Sequence, residues 1–195
     1  FVFADGENIG TNTRHSPLTK VFGKTIDESF AGMRFSISPL TFFQVNVPQA
    51  EHIAAFLDEC FTGASGGLID AHAGVGAFAL TLAKRFTEVL AVEVVRGSCD
   101  LARENIAKNR VPNVRVRHAP DVRAIEDLLS ESASNADRYP NLLLDPPRAG
   151  LSEEMRALIP SAKFRRIVYV SCNPHTQARD AAVLTASGYR VTRIR

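Results

Sequence analysis

The chain has few cysteines, no long apolar stretch and little net charge, and each shortage removes a class of protein. Its three cysteines, Cys60, Cys99 and Cys172, are widely separated and never form a C-x-x-C pair. Neither a disulfide framework nor a zinc site is indicated, so no metal is expected. A reducing, intracellular setting fits best, with cytoplasm, nucleus and mitochondrion indistinguishable. No apolar run approaches the roughly 20 residues that cross a bilayer, and no basic-then-apolar leader opens the sequence, so no membrane partner is expected. The net charge is only +2, which permits contact with nucleic acid without requiring it, because phosphate recognition depends on clustered cations. The clusters present are small: Arg115, Arg117 and His118, then Lys163, Arg165 and Arg166, then Arg190, Arg193 and Arg195. Each alone reads as a solvated charged face. There is no internal repeat or low-complexity tract.

What is there is an ordinary globular composition, 45% apolar and 23% charged over 195 residues, enough for one well-buried domain with an appendage. From about residue 67 onward, short apolar runs alternate with helical patterns: GLIDAHA then GAFALTLAKRF, EVLAVEV then RGSCDLARENIAKN, NVRVRHA then DVRAIEDLLSES, NLLLDPP then SEEMRALIPSA, RIVYVSC then PHTQARDAAVLTASG. This alternation predicts an α/β fold, a doubly wound, mostly parallel sheet of Rossmann-like type over residues 49–195. A last strand is expected at YRVTRIR, residues 189–195. Residues 1–48 carry short extended pieces such as FVFADG and MRFSISP among turn residues, and predict a small β-rich segment. A helix is expected from Pro48 to Cys60, with proline in its first turn.

Parallel sheets of this kind bind ligands at the carboxyl ends of their strands. DAHAGVGAF, residues 70–78, puts an acidic residue at a strand end and Gly74 and Gly76 in the turn that follows, where backbone can approach a ligand closely. Alone, such a turn is as often a tight connection. Glu93 ends the next strand about 20 residues on, where a carboxylate can accept both ribose hydroxyls. Asp121, opening the helix after the third strand, is within reach of an adenine, although an Asp there is commonly a helix cap. The turn lacks the third glycine of G-x-G-x-x-G and any G-K-[ST], so phosphates are disfavoured and S-adenosylmethionine fits better.

NLLLDPPRAG, residues 141–150, ends a buried strand in Asp145 and two prolines that stiffen the chain and hold the carboxylate toward the crevice; Arg148 is then placed to meet a phosphate. Cys172 ends the next strand, directly before Asn-Pro, while Cys60 and Cys99 fall inside helical patterns and read as small core residues. A thiolate, an acid and a methyl sulfonium together suit carbon methylation of a pyrimidine. Its C5 becomes nucleophilic once a cysteine has added to C6, and a base must later remove the C5 proton.

FFQVN (42–46), DAHAGVGAF, LLLDPPRAG and YVSCNPHTQARD (169–180) together resemble the RNA 5-methyluridine methyltransferase family, over roughly residues 34–195. The resemblance implies methyl transfer from S-adenosylmethionine to C5 of a uridine in transfer or ribosomal RNA. It implies Cys172 as nucleophile, and Gln44, His72, Ala77, Glu93, Asp121 and Asp145 around the cofactor. Two departures stand out. His72 and Ala73 replace the family's usual aromatic and cysteine, and the family's glutamate base belongs to a segment past the sixth strand, whereas this chain stops at Arg195. A fragment that binds the cofactor and turns over poorly is therefore expected. The alternatives are methylation of a nitrogen, against which Arg148 stands where [DN]-P-P-[YF] would carry an aromatic ring, and a catalytically silent binding module, which retention of Gln44, Asp145 and Cys172 disfavours.

Overall fold

The computed structural model describes residues 3–4, 19–20, 25–131 and 135–195, with side chains described over 25–130 and 137–195. Before residue 25 it describes only the antiparallel pair β1 (Phe3–Ala4) and β2 (Thr19–Lys20), so most of the expected FVFADG piece lies outside the described residues. Strands β3 (Ile26–Phe30) and β4 (Met33–Ile37) form a hairpin closed by Ala31 and Gly32, at φ 49° and 76°. Positive φ at both turn residues matches the right-handed twist of a two-residue hairpin. The MRFSISP segment is thus half of a ladder whose other half, IDESF, carries too little alternation to be read as a strand.

Helix α1 (Val47–Cys60) starts where Asn46 accepts the Gln49 amide at 3.2 Å and Pro48 occupies the first turn. Then follow β5 (Leu68–Ala71), α2 (Ala77–Leu82), β6 (Val89–Glu93), α3 (Arg96–Asn109), β7 (Val114–His118), α4 (Asp121–Glu131), the short α5 (Asn135–Arg138), β8 (Asn141–Leu144), α6 (Glu153–Ala162), β9 (Arg166–Tyr169) and α7 (Pro174–Ala186). The last five strands make one parallel sheet in the order β7-β6-β5-β8-β9. Strand order reverses between β5 and β8, which opens a crevice at their carboxyl ends.

Alternation along the strands divides the core in two. Leu68, Val89, Ala91 and Leu143 face α1, α2 and the hairpin, while Ile69, Ala71, Leu90, Val92, Leu142 and Leu144 face α4 and α6. The period of two then places Asp70 and Asp145 on the α2 side, with Leu68 and Leu143 respectively. The hairpin shares this layer. Phe30 packs edge-on against Phe35, Phe43 and Phe78, with ring centroids 5.9–6.1 Å apart. Asn105 of α3 holds β4 from outside the ladder: its Oδ1 accepts the Ser36 amide at 2.7 Å, and its Nδ2 donates to the Ser36 and Val75 carbonyls.

The expected strand at 189–195 does not form. A strand needs a ladder partner, and no described strand pairs with this segment. Instead the tail runs back over α1, where the Arg193 and Arg195 guanidiniums lie 5.9 and 5.2 Å from the centre of the Phe56 ring. No described helix is long and apolar enough to cross a membrane.

Candidate active site

The carboxyl edge of β5 and β6 is shaped by backbone geometry. His72, Gly74 and Gly76 all have positive φ, at 66°, 57° and 87°. The chain therefore coils back above the sheet before entering α2. This coil aims the Gly74 amide at Glu93, whose carboxylate accepts it at 2.8 Å and the Val95 amide at 2.7 Å. Glu93 is thus locked at the end of β6 with lone pairs to spare. At Gly76 the φ of 87° suits glycine, and a Cβ would also press on the Leu80 side chain, 2.8 Å from its Cδ1.

Two adjoining clefts share His72. One is bounded by Phe42, Phe43, Gln44, Asp70, Ala77 and Asp145, among others. The second is bounded by Val92, Glu93, Val94, Ala119, Pro120 and Asp121. His72 Nε2 lies 3.1 Å from Asp121 Oδ2, in ion-pair range but out of line for a hydrogen bond. Burial works to raise the Asp121 carboxyl, and the His72 ring together with the backbone amides at the start of α4 outweighs it, leaving Asp121 below the usual range. Neither cleft is lined by Lys or Arg, so this is an acidic and apolar recess.

Asp70 is the unusual member. It is 1% exposed, and neither carboxylate oxygen has a hydrogen-bond partner. Register pairs Asp70 with Leu143 on β8, so Asp145, two residues on, is its diagonal neighbour on the same face. Burial, then the Asp145 charge, push the Asp70 carboxyl well above its ordinary value. Burial also pushes Asp145 up to about 6, with His72 pulling the other way.

The β8 and β9 side is built differently. Pro147 to Gly150 closes a turn, with the Gly150 amide on the Pro147 carbonyl at 2.8 Å, and Arg148 is exposed on it. Cys172 is exposed one residue before Asn173, which caps α7 by accepting the His175 amide at 3.1 Å. The two loops are stitched together. Asn173 and Thr176 side chains donate to the Arg148 carbonyl, and Arg179 donates to the Ala149 carbonyl. Beneath them Asp180, 0% exposed, accepts from the Leu151 amide and the Tyr169 hydroxyl, both at 2.8 Å, and from Arg156 and Arg179. A Cβ on Gly150 would lie 2.5 Å from Asp180 Oδ2, which explains the glycine of the RAG stretch.

All eight residues singled out from the sequence lie on this carboxyl edge or the loops around it: Gln44, His72, Ala77, Asp145 and Glu93, Asp121 line the two clefts, and Arg148 and Cys172 stand on the stitched loops. Sequence reasoning passed over Asp70 as a site residue, although an Asp inside a wholly apolar strand was the available signal. It also missed Phe42 and Phe43, and the supporting role of Asp180, whose partners are far away in sequence. Among the described residues no group of three or more His, Cys, Asp and Glu could hold a metal ion.

A family model described as tRNA (uracil-5-)-methyltransferase matches residues 31–195. An uncharacterized RNA methyltransferase of Caldanaerobacter subterraneus is 36% identical over 177 residues, covering 89% of this chain and 38% of the relative. A 23S rRNA (uracil(1939)-C(5))-methyltransferase of Salmonella typhi is 37% identical over 164 residues, covering 84% of this chain and 37% of the relative. The chain thus spans under two fifths of the length of these curated relatives. Among solved structures, the Pyrococcus abyssi tRNA (uracil-54, C5)-methyltransferase in complex with S-adenosyl-L-homocysteine superposes with a TM-score of 0.71 at 30% identity, over 86% of this chain and 40% of that one.

Proposed function

The chain belongs to the tRNA (uracil-5-)-methyltransferase family, and from that premise we propose that it carries the machinery to methylate C5 of an unstacked uridine in transfer or ribosomal RNA, through a covalent bond from Cys172 to C6. S-adenosylmethionine fits the clefts: it is cationic and free of phosphate, and the recess is acidic, apolar and lined by no Lys or Arg. Glu93, held by two amides, is placed for the ribose hydroxyls. His72 and Asp121 flank the adenine end, and Gln44, Ala77, Asp70 and Asp145 surround the amino-acid end. When bound, the cofactor supplies an electrophilic methyl group on a sulfonium.

The observation that carries the reading is Cys172 exposed in the loop three residues past β9, next to the start of the 13-residue helix α7. The thiolate adds to C6 of the uracil, the C5–C6 double bond opens, and the electron pair passes to C5 and the C4 carbonyl oxygen. C5 then takes the methyl group as the methyl–sulfur bond breaks, its electron pair staying on sulfur and leaving a neutral thioether. A general base then takes the C5 proton, which re-forms the double bond and expels the Cys172 thiolate. In a stacked helix C5 and C6 are closed to attack from both faces, so the uridine must leave the stack. Arg148, exposed on the neighbouring turn, is placed for the RNA backbone.

The test is intact mass after mixing the chain with S-adenosylmethionine and an RNA loop carrying 5-fluorouridine. Fluorine cannot leave as a proton, so the adduct stalls after methyl transfer. A protein–RNA adduct with wild type and none with Cys172→Ala is expected. Absence of the adduct in wild type, or its persistence in Cys172→Ala, would overturn the proposal.

A further inference from the structure

Two buried carboxylates, Asp70 and Asp145, stand as diagonal neighbours on one face of the sheet, and the mechanism above gives Asp70 no chemical step. Neither Asp70 oxygen has a hydrogen-bond partner within normal geometry, and the Ala79 amide of α2 pulls its carboxyl down by less than burial and the Asp145 charge push it up. An ionised carboxylate without a donor in an apolar interior costs several kcal/mol, and two neighbouring carboxylates resist ionising together. The groups facing them do not relieve this. Glu93, at the end of β6, is itself negative. His72, beyond β5, is shared with Asp121 at the start of α4; it pulls Asp145 down without overcoming burial and is not among the groups that act on Asp70. Helix α2, Ala-Phe-Ala-Leu-Thr-Leu, presents no titratable side chain, and the FFQ stretch presents none either.

We propose that the free protein keeps one proton on the Asp70–Asp145 pair near neutral pH and releases it when the cationic end of the cofactor enters the cleft, so that binding and proton release are a single coupled event. This rests on the cofactor reading given above. Of the two, Asp70 is the more deeply buried and is without a hydrogen-bond partner on either oxygen, so the shared proton is assigned to Asp70, whose carboxyl burial and the Asp145 charge push well up. A cation in the cleft supplies the opposite charge that Asp70 lacks, the carboxyl ionises, and the proton passes to solvent. Such binding tightens as pH rises, by up to about tenfold per pH unit where one proton is released.

Isothermal titration of the chain at pH 7 in phosphate and in Tris buffers counts the protons. Beyond the adenosine, S-adenosylhomocysteine carries an ammonium and a carboxylate, S-adenosylmethionine adds the sulfonium, and 5′-methylthioadenosine carries none of the three. Release of about one proton per molecule is expected with the charged ligands and none with methylthioadenosine. Release with both assigns it to the ammonium; release with S-adenosylmethionine alone assigns it to the sulfonium. Asp70→Asn, a neutral isostere, should abolish the release and weaken the charged ligand at pH 8 by at least about tenfold, leaving methylthioadenosine unchanged. Binding of the charged ligands without proton release, or release unaltered in Asp70→Asn, would overturn the coupling while the cofactor reading stands. If none of the three ligands binds, both fall. Carboxyl ¹³C NMR of the free wild-type chain gives a ligand-independent check: Asp70 should be protonated at pH 7, and an ionised Asp70 would refute the proposal.

Discussion

Asp70 on strand β5 and Asp180 on helix α7 are both buried carboxylates, at 1% and 0% exposure, and they have opposite surroundings. Asp180 receives an amide, a phenol and two guanidiniums, while Asp70 has no partner within hydrogen-bond geometry and only the Ala79 amide to pull its carboxyl down. Burial would raise the Asp180 carboxyl, but the Leu151 amide, the Tyr169 hydroxyl and Arg179 outweigh it and hold it below the usual range. Asp70 is pushed the other way. A buried acid with all its partners fixes the chain around it. One without partners is stable only as a neutral acid, or with a ligand. The β8–β9 side is therefore a pinned scaffold for Cys172, and the β5–β6 side is a receptor awaiting charge.

The sharpest way to break this comparison is to remove each acid. Asp180→Ala strands Arg156 and Arg179 and unpins the 148–151 turn from α7, so chemical denaturation should register a loss of about 3–5 kcal/mol. Asp70→Asn replaces a neutral acid with a neutral amide and should change stability at pH 6 by less than about 1 kcal/mol. Equal losses at the two positions would erase the distinction.

The pH dependence sharpens it further, because the signs differ. Asp145 titrates at about 6 in the folded chain against an ordinary 3.8. Its favourable contribution is complete below the ordinary value and is lost as pH rises through about 6. Asp145→Asn should therefore be neutral at pH 4 and more stable than wild type by about 2–3 kcal/mol at pH 8. Asp180, held low, contributes above the ordinary carboxylate value and loses that contribution only in acid. Thermal melts of wild type, Asp145→Asn and Asp180→Asn between pH 4 and 8 separate the two: only Asp180→Asn should lie below wild type at pH 7.

The same contrast explains what could be read in the sequence. Strands and helices from residue 67 onward were legible because each buries one face in a regular period, and α3 falls on the expected residues 96–109. Gly74, Gly76 and Glu93 were legible because a turn and a strand end lie at a fixed spacing. The terminal strand was misread at YRVTRIR, since alternation alone cannot supply a ladder partner. The Asp180 cluster was invisible because its donors come from residues 151, 156, 169 and 179, three of them brought together only by the crossing of α6, β9 and α7. Asp70 could be seen as an acid in an apolar strand, but its lack of partners is a property of the folded neighbourhood.

The smallest effect tests how finely the scaffold is shared out. Tyr169 belongs to β9, and its hydroxyl donates to the same Asp180 oxygen that accepts the Leu151 amide. Burial and this hydrogen bond both push the phenol up, so it stays a donor across the physiological range. Tyr169→Phe removes one of four donors without stranding a charge, since Leu151, Arg156 and Arg179 remain on the carboxylate. The expected cost is about 1 kcal/mol by urea denaturation, well under that of Asp180→Ala. With one donor fewer Asp180 is held less low, so acid unfolding should begin at a slightly higher pH than in wild type. A cost as large as that of Asp180→Ala would mean that the β9 contact, rather than the guanidiniums, is what pins the Cys172 loop.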